Sequence, residues 1–228
     1  MPFKTPGKTS EYIRSLLKEV PVDDAQQRIL EYADREMIAV LLPETVAFLR
    51  QAVMLSKPER ILEIGTGIGY SGIVMLKEAP KATLYTIEMS EERLQIAKQN
   101  FAEAGVLSRT VCYAGDCSEI IPNLAGQFDF IFLDGPKAQY CEYLPFLSRS
   151  LTAGGILFCD NVLYEGMVSG EREIKNHKGG LVKKLDLFLH KLMVDRTLCS
   201  SVLPVGDGVS FSIKTNKATK QESRKNKL

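Results

Sequence analysis

The first 55 residues read as helices. Thr9 or Ser10 is placed to cap a helix through EYIRSLLKEV, and Pro21 ends it. A second helix is expected from about Asp23 through AQQRILEYADREM. A third opens with Pro43 at an early position and Glu44 in the first turn, where a fixed φ and a negative charge both suit a helix N-terminus. From residue 60 the pattern changes to strand–helix alternation. RILEI is a short apolar run ended by a glycine-rich turn, and TLYTIE, TVCYA, FDFIFLD and GILFCD follow it. Ser90 caps EERLQIAKQNFAEA, with Gly105 as the stop. Near-continuous apolar strands separated by helices indicate a parallel sheet covered on both faces. LVKKLDLFLHKLM is a later amphipathic helix. SSVLPV, a Gly-Asp-Gly turn and VSFSIK read as a hairpin, hence an antiparallel edge on a mostly parallel sheet. The expected fold class is α/β. Residues 1–55 form a helical extension, 56–215 the sheet domain, and 216–228 a tail expected to be disordered.

Composition narrows the function classes. The chain has 228 residues with 29 Lys+Arg against 28 Asp+Glu, the proportions of an ordinary soluble globular protein. Residues 214–228 hold six positive charges and one negative, which leaves 23 positive against 27 negative in the rest. A protein that coats nucleic acid through overall positive charge is excluded, while a local basic contact is not. Five cysteines (Cys112, Cys117, Cys141, Cys159 and Cys199) show no C-x-x-C pair, so neither a disulfide framework nor a zinc knuckle is expected. The N-terminus lacks the apolar core of a signal peptide, and no run of 18 apolar residues exists. A reducing cytoplasm is the expected home, with no membrane contact.

Two constellations carry candidate chemistry. Gly65, Gly67, Gly69 and Gly72 follow a strand and open a helix, and Gly67-Gly69-Gly72 matches G-x-G-x-x-G. Glu88, 19 residues after Gly69 at the next strand end, is placed to bind a ribose diol. The match alone leaves open which adenosine cofactor binds, a nicotinamide dinucleotide included. The second constellation is a row of acids at successive strand ends: Asp116, Asp134, and Asp160 with Asn161. All these ends share one edge of a parallel sheet, where ligands bind. Each acid could instead only cap the following helix. Asp134, Asp160 and Asn161 are hard oxygen donors that suit Mg²⁺, Mn²⁺ or Ca²⁺ rather than zinc. His177 and His190 stand apart from this edge and read as surface residues. Lys137 follows Asp134 by three residues. A divalent cation nearby disfavours a second positive charge, so such a Lys could give up its proton and act as a general base.

Taken together, ILEIGTGIGYSG, YTIE, the GD after the third strand, FLDGPKAQY, CDNVL and PVGDG resemble the metal-dependent, S-adenosylmethionine-using O-methyltransferases of the catechol/caffeoyl-CoA type. The resemblance runs from about residue 10 to 215. Within that family, DNVLYEGMVSG and PVGDGVSFSIK are similar to the bacterial tRNA 5-hydroxyuridine methyltransferase branch. It implies a Rossmann-like, seven-stranded sheet with an antiparallel last strand, which leaves hydride transfer without support. It implies that Glu63, Gly65, Gly67 and Gly69 wrap the methionine part of the cofactor, with Ser71 near its carboxylate. Glu88 would take the ribose, Asp116 and Cys117 the adenine, and Val40 a further cofactor contact. Asp134, Asp160 and Asn161 match the metal ligands, with Asp134 also near the cofactor, and Lys137 matches the catalytic lysine. A homodimer touching through the N-terminal helices is implied. The acceptor is either wobble 5-hydroxyuridine in tRNA or a small catechol-like molecule. Lys175, Lys178, Lys183 and Lys184, together with the basic tail, are candidate phosphate contacts.

Overall fold

A computed structural model describes residues 7–174 and 176–216. Three helices lead the chain: α1 (Lys8–Leu17), α2 (Asp24–Arg35) and α3 (Pro43–Ser56). α2 is capped by the Asp23 carboxylate, which accepts from Gln26 N–H, and α3 carries Pro43 at its first position. α1 departs from expectation. Its N-cap is Gly7, without a side-chain cap, and Thr9 and Ser10 already lie inside the first turn. Glycine is itself a tolerated N-cap residue, and its carbonyl accepts the first bond of the helix from the Glu11 N–H.

The strand–helix part then runs β1 (Arg60–Ile64), α4 (Tyr70–Glu78), β2 (Thr83–Glu88), α5 (Glu91–Glu103), β3 (Thr110–Ala114), α6 (Cys117–Ile120), β4 (Phe128–Leu133), α7 (Tyr140–Ser150), β5 (Leu151–Cys159), α8 (Gly179–Val194), β6 (Leu198–Leu203) and β7 (Val209–Lys214). Ser90 caps α5 by accepting from Arg93 N–H, as expected. The seven strands make one sheet in the order β3-β2-β1-β4-β5-β7-β6. β7 alone runs against the others, and it lies between β5 and β6. The hairpin therefore supplies the antiparallel strand, but the outer edge on that side is β6. The fold is a Rossmann-like doubly wound α/β sheet. Its strand order reverses between β1 and β4, and ligands sit beyond the strand ends at such a switch point.

Two apolar layers hold the sheet. One face packs Ile29, Leu49, Val53, Ile73, Met75 and Phe101 of α2–α5 onto Ile61, Phe130, Phe132 and Phe158. The other packs Tyr140, Leu144, Leu147, Leu185 and Phe188 of α7 and α8 onto Leu62, Ile64, Ile131 and Leu157. The N-terminal helices α2 and α3 thus share their core with the sheet. All five cysteines are free thiols. Among the described residues no helix is long and apolar enough to cross a membrane.

Candidate active site

At the C-terminal ends of β1, β4 and β5 a cavity of about 670 Å³ opens, within the size range of ligand sites. The turn after β1 forms one wall. Gly65, Gly67 and Gly69 all have positive φ, at 96°, 54° and 87°. They need to be glycine for different reasons. A Cβ on Gly65 would lie 2.5 Å from the Asp134 carbonyl oxygen, so its absence lets β1 and β4 exit side by side. A Cβ on Gly69 would meet the Phe101 ring at 2.9 Å, which makes Gly69 a packing residue; it is not on the cavity wall. Gly67 has open space where a side chain would project, and it lines the cavity.

Glu88 at the end of β2 is buried to 9% exposure and held in place by two backbone donors. Gly67 N–H reaches Oε2 at 2.8 Å and Ser90 N–H reaches Oε1 at 3.0 Å. The carboxylate is thereby locked to the glycine turn and faces the cavity. Ser71 and Val40 also line it. Glu63 does not. It is fully buried behind the wall, where Ser71 Oγ and Thr86 Oγ1 donate to its two oxygens at 2.5 and 2.6 Å. Burial, against the help of those two hydroxyls, pushes its carboxyl up to about 7.

Asp116 and Cys117 also fall outside the cavity wall, which on this side includes Glu88 and Arg93. Asp116 Oδ1 accepts from the Ser118 N–H and hydroxyl, both at 2.7 Å, and so caps α6. These bonds favour the ionised form and hold its carboxyl below the usual range. Cys117 is buried, and that burial pushes its thiol up to about 11, a packing residue rather than a nucleophile.

The other wall carries the remaining acids. Asp134 N–H bonds to the Ile64 carbonyl, and Asp160 N–H to the Leu133 carbonyl, so each strand end is stitched to its neighbour and the two carboxyls come to one place. Lys137 Nζ pairs with Asp134 Oδ1 at 3.1 Å. Asp160 is 1% exposed and accepts from the Asn161 N–H at 2.8 Å. Burial raises both carboxyls. For Asp160 the Asp134 charge adds to the effect, whereas for Asp134 Lys137 opposes it. All four residues line the cavity. Among the described residues no group of three His, Cys, Asp or Glu is gathered to hold a metal ion. The oxygens of the set here are hard and come from two carboxyls and one amide, so the donor chemistry fits a hard divalent cation.

Sequence reasoning missed how the rest of the cavity rim is built. The loop after β5 places three non-glycine residues in the left-handed region: Asn161 at 54°, Tyr164 at 47° and Glu165 at 58°. The β6–β7 turn clasps it. Val162 and Leu163 N–H bond to the Gly208 and Asp207 carbonyls, and Glu165 N–H bonds to Asp207 Oδ1. A Gly-Asp-Gly turn signals a hairpin, and nothing in it announces a contact 42 residues away. Arg14 of α1 lines the same cavity and grips Glu44 of α3 with Nε and Nη2 at 2.9 and 2.8 Å. Lys178 stands 3.7 Å from Glu165 and over the Tyr164 ring. Lys183 and Lys184 are exposed on α8, and His177 and His190 are exposed as expected. Lys175 and residues 217–228 lie outside the described residues.

The sequence profile of the O-methyltransferase family matches residues 9–215. The chain belongs to this O-methyltransferase family. It is similar to a catechol O-methyltransferase from Niastella koreensis, 31% identical over 177 residues that cover 75% of this chain and 80% of that one. It is also 34% identical over 138 residues to the O-methyltransferase hkm8 of Aspergillus hancockii, covering 59% of this chain and 55% of the relative. The solved structure of the S-adenosylhomocysteine-bound Podospora anserina methyltransferase PaMTH1 superposes with a TM-score of 0.83 at 27% identity, covering 95% of this chain and 98% of that one.

Proposed function

We propose that this O-methyltransferase transfers the methyl group of S-adenosylmethionine to a ring hydroxyl that has a second oxygen beside it, that of 5-hydroxyuridine in tRNA, in a divalent-metal-dependent reaction. The observation that carries the reading is the meeting, in one cavity, of the Gly67–Glu88 wall with Asp134, Lys137, Asp160 and Asn161. When bound, S-adenosylmethionine supplies the electrophilic methyl, and Mg²⁺ (or Mn²⁺ or Ca²⁺) supplies Lewis acidity toward a hydroxyl, with Asp134, Asp160 and Asn161 as its protein ligands. Glu88 accepts from the ribose hydroxyls, and its two backbone bonds keep it aimed for that task. Ser71 and the open surface at Gly67 receive the methionine part. Lys137 Nζ, once it is a neutral amine, takes the acceptor proton and becomes the ammonium that pairs with Asp134, and the rigid strand ends hold donor and acceptor in line, which removes much of the entropic barrier.

Support for tRNA is the likeness of DNVLYEGMVSG and PVGDGVSFSIK to the tRNA branch, two segments that clasp each other at the cavity. Lys178, beside the rim residue Glu165, and the exposed Lys183 and Lys184 of α8 suit phosphates. A small catechol is the second reading. It is favoured by the catechol O-methyltransferase relative and by Glu165, Glu171 and Asp207 on the rim, which disfavour a polyanion. The deciding experiment incubates the protein with S-adenosylmethionine, Mg²⁺ and tRNA bearing 5-hydroxyuridine, and analyses the digested nucleosides by mass spectrometry. Methylation of a catechol, with the tRNA left unmodified, selects the second reading. A homodimer through α1, whose Tyr12, Ile13 and Leu16 are exposed, is proposed alongside and is checked by sedimentation. A reducing, cytoplasmic setting suits the five free thiols.

A further inference from the structure

The Gly206-Asp207-Gly208 turn between β6 and β7 does more than connect a hairpin. An Asp in a turn commonly bonds its own backbone two residues on. Asp207 Oδ1 accepts from the Glu165 N–H at 2.5 Å, 42 residues away. The carbonyls of Asp207 and Gly208 accept from the Leu163 and Val162 N–H at 3.1 and 3.0 Å. Three of the four amides that follow Asn161 therefore end on this turn, and that of Tyr164 bonds back to the Asn161 carbonyl. The turn is itself wedged in place. A Cβ on Gly206 would lie 2.2 Å from Thr45 Oγ1 of α3, and one on Gly208 would lie 2.3 Å from Leu163 Cγ. The segment it clasps is strained, with Asn161, Tyr164 and Glu165 all in the left-handed region. Such a backbone persists only where its surroundings over-determine it.

We infer that Asp207 is a positioning residue for Asn161. Its carboxylate and carbonyl hold the strained loop so that Asn161 stays on the cavity wall beside Asp134 and Asp160. This rests on the reading that these three residues hold a divalent cation. A ligand whose direction is fixed in the fold is not ordered at the moment of binding, and partners behind the ligands tune metal affinity for that reason. None of the clasp's bonds touches the Gly67–Glu88 pair, so the effect is confined to the metal side. The charge of Asp207 is also felt at Asp160, and the hydrogen bond has to be told apart from it. An Asn at position 207 keeps the acceptor oxygen and loses the charge, whereas an Ala loses both.

The test is calorimetric titration of the full chain with Mn²⁺ and, separately, with S-adenosylhomocysteine. If the unaltered protein takes up no Mn²⁺, the metal reading fails and the inference falls with it. Given uptake, Asp207→Ala is expected to raise the Mn²⁺ Kd roughly three- to tenfold, the scale of one lost hydrogen bond. Asp207→Asn is expected to stay within about twofold of the unaltered protein, and the S-adenosylhomocysteine Kd within about twofold in both variants. Three results each overturn the inference. One is an unchanged Mn²⁺ Kd in Asp207→Ala. Another is an Asn variant as weak as the Ala variant, which assigns the effect to charge. The third is a parallel fall in both affinities, which assigns it to general damage. Should Asp207→Ala not fold, hydrogen exchange of the unaltered protein carries the test. Coupling is reciprocal, so Mn²⁺ is expected to slow exchange at the Val162, Leu163 and Glu165 amides and also at Gly208, whose N–H bonds to the Val205 carbonyl within the turn. Exchange at Gly208 that Mn²⁺ leaves unmoved overturns the inference.

Discussion

The wall proposed to hold the cofactor comes mostly from one stretch of chain, Gly65 to Glu88, with Val40 and Arg93 beside it. The wall proposed to face the acceptor is assembled from segments far apart: α1 with Arg14, the loop after β5 with Asn161, Tyr164 and Glu165, and the β6–β7 turn with Asp207. The first wall is stiffened by short-range devices, namely the glycine turn, the Gly67–Glu88 bond and the buried Glu63 chain. The second depends on a clasp between two loops and on one ion pair between helices. Segments that meet only in the tertiary fold can change without disturbing the cofactor wall.

The sharpest break between the walls is expected at the acids and the lysine. Asp160→Ala should abolish turnover, and Lys137→Ala should lower kcat by roughly 10²- to 10⁴-fold, the range for a lost general base. Cofactor affinity measured by titration should stay near that of the unaltered protein in both. Affinity collapsing together with activity would merge the two walls into one. Removing divalent ions with a chelator should stop turnover, and adding back Mg²⁺ should restore it.

The next effect sits inside the cofactor wall. Gly65→Ala drives a methyl group into the Asp134 carbonyl and adds left-handed strain, so it should lower folding stability by roughly 2–4 kcal/mol. Gly67→Ala meets no atom and should cost about 1–2 kcal/mol of stability from its backbone alone, while placing a methyl in the cavity and weakening cofactor binding. Denaturant unfolding of the pair, set beside their cofactor affinities, separates packing glycines from ligand-facing ones.

Of comparable size is a pH effect at Glu63. Its carboxyl titrates near 7 in the fold against 4.5 when exposed, so the folded state holds a proton that the unfolded state releases across that interval. The stability contribution is therefore complete below pH 4.5 and lost as pH rises toward 7, by about 3 kcal/mol in all. Glu63→Gln carries no such loss. Its stability relative to the unaltered protein should rise between pH 5 and 8, and parallel pH profiles would show that Glu63 ionises without penalty.

The smallest effect is expected at α1. Arg14→Ala releases the bidentate pair to Glu44, and the acceptor KM should rise roughly two- to fivefold. The cofactor Kd should not move. A change in cofactor Kd would mean that α1 braces both walls.

Much of the fold could be read directly. The largely apolar runs ending at Ile64, Ile87, Leu133 and Cys159 announced parallel strands, because a strand covered on both faces is apolar nearly throughout. The acids beyond those runs were legible because parallel strands deliver their ends to one edge. The place of β7 between β5 and β6 was not, since a hairpin's turn does not state which of its strands finds an outside neighbour. Asp116 shows the same limit. An acid at a strand end fits a ligand site or a helix cap, and only the Ser118 bonds gave it the cap. Thr86 and Asp207 carried no signal, because their partners lie 23 and 42 residues away. The sequence by itself determined the strands, the glycine turn and the identity of the acids, which follow from local sterics and burial. Tertiary structure decided which of those groups face the cavity, because facing is settled by neighbours that chain proximity does not specify.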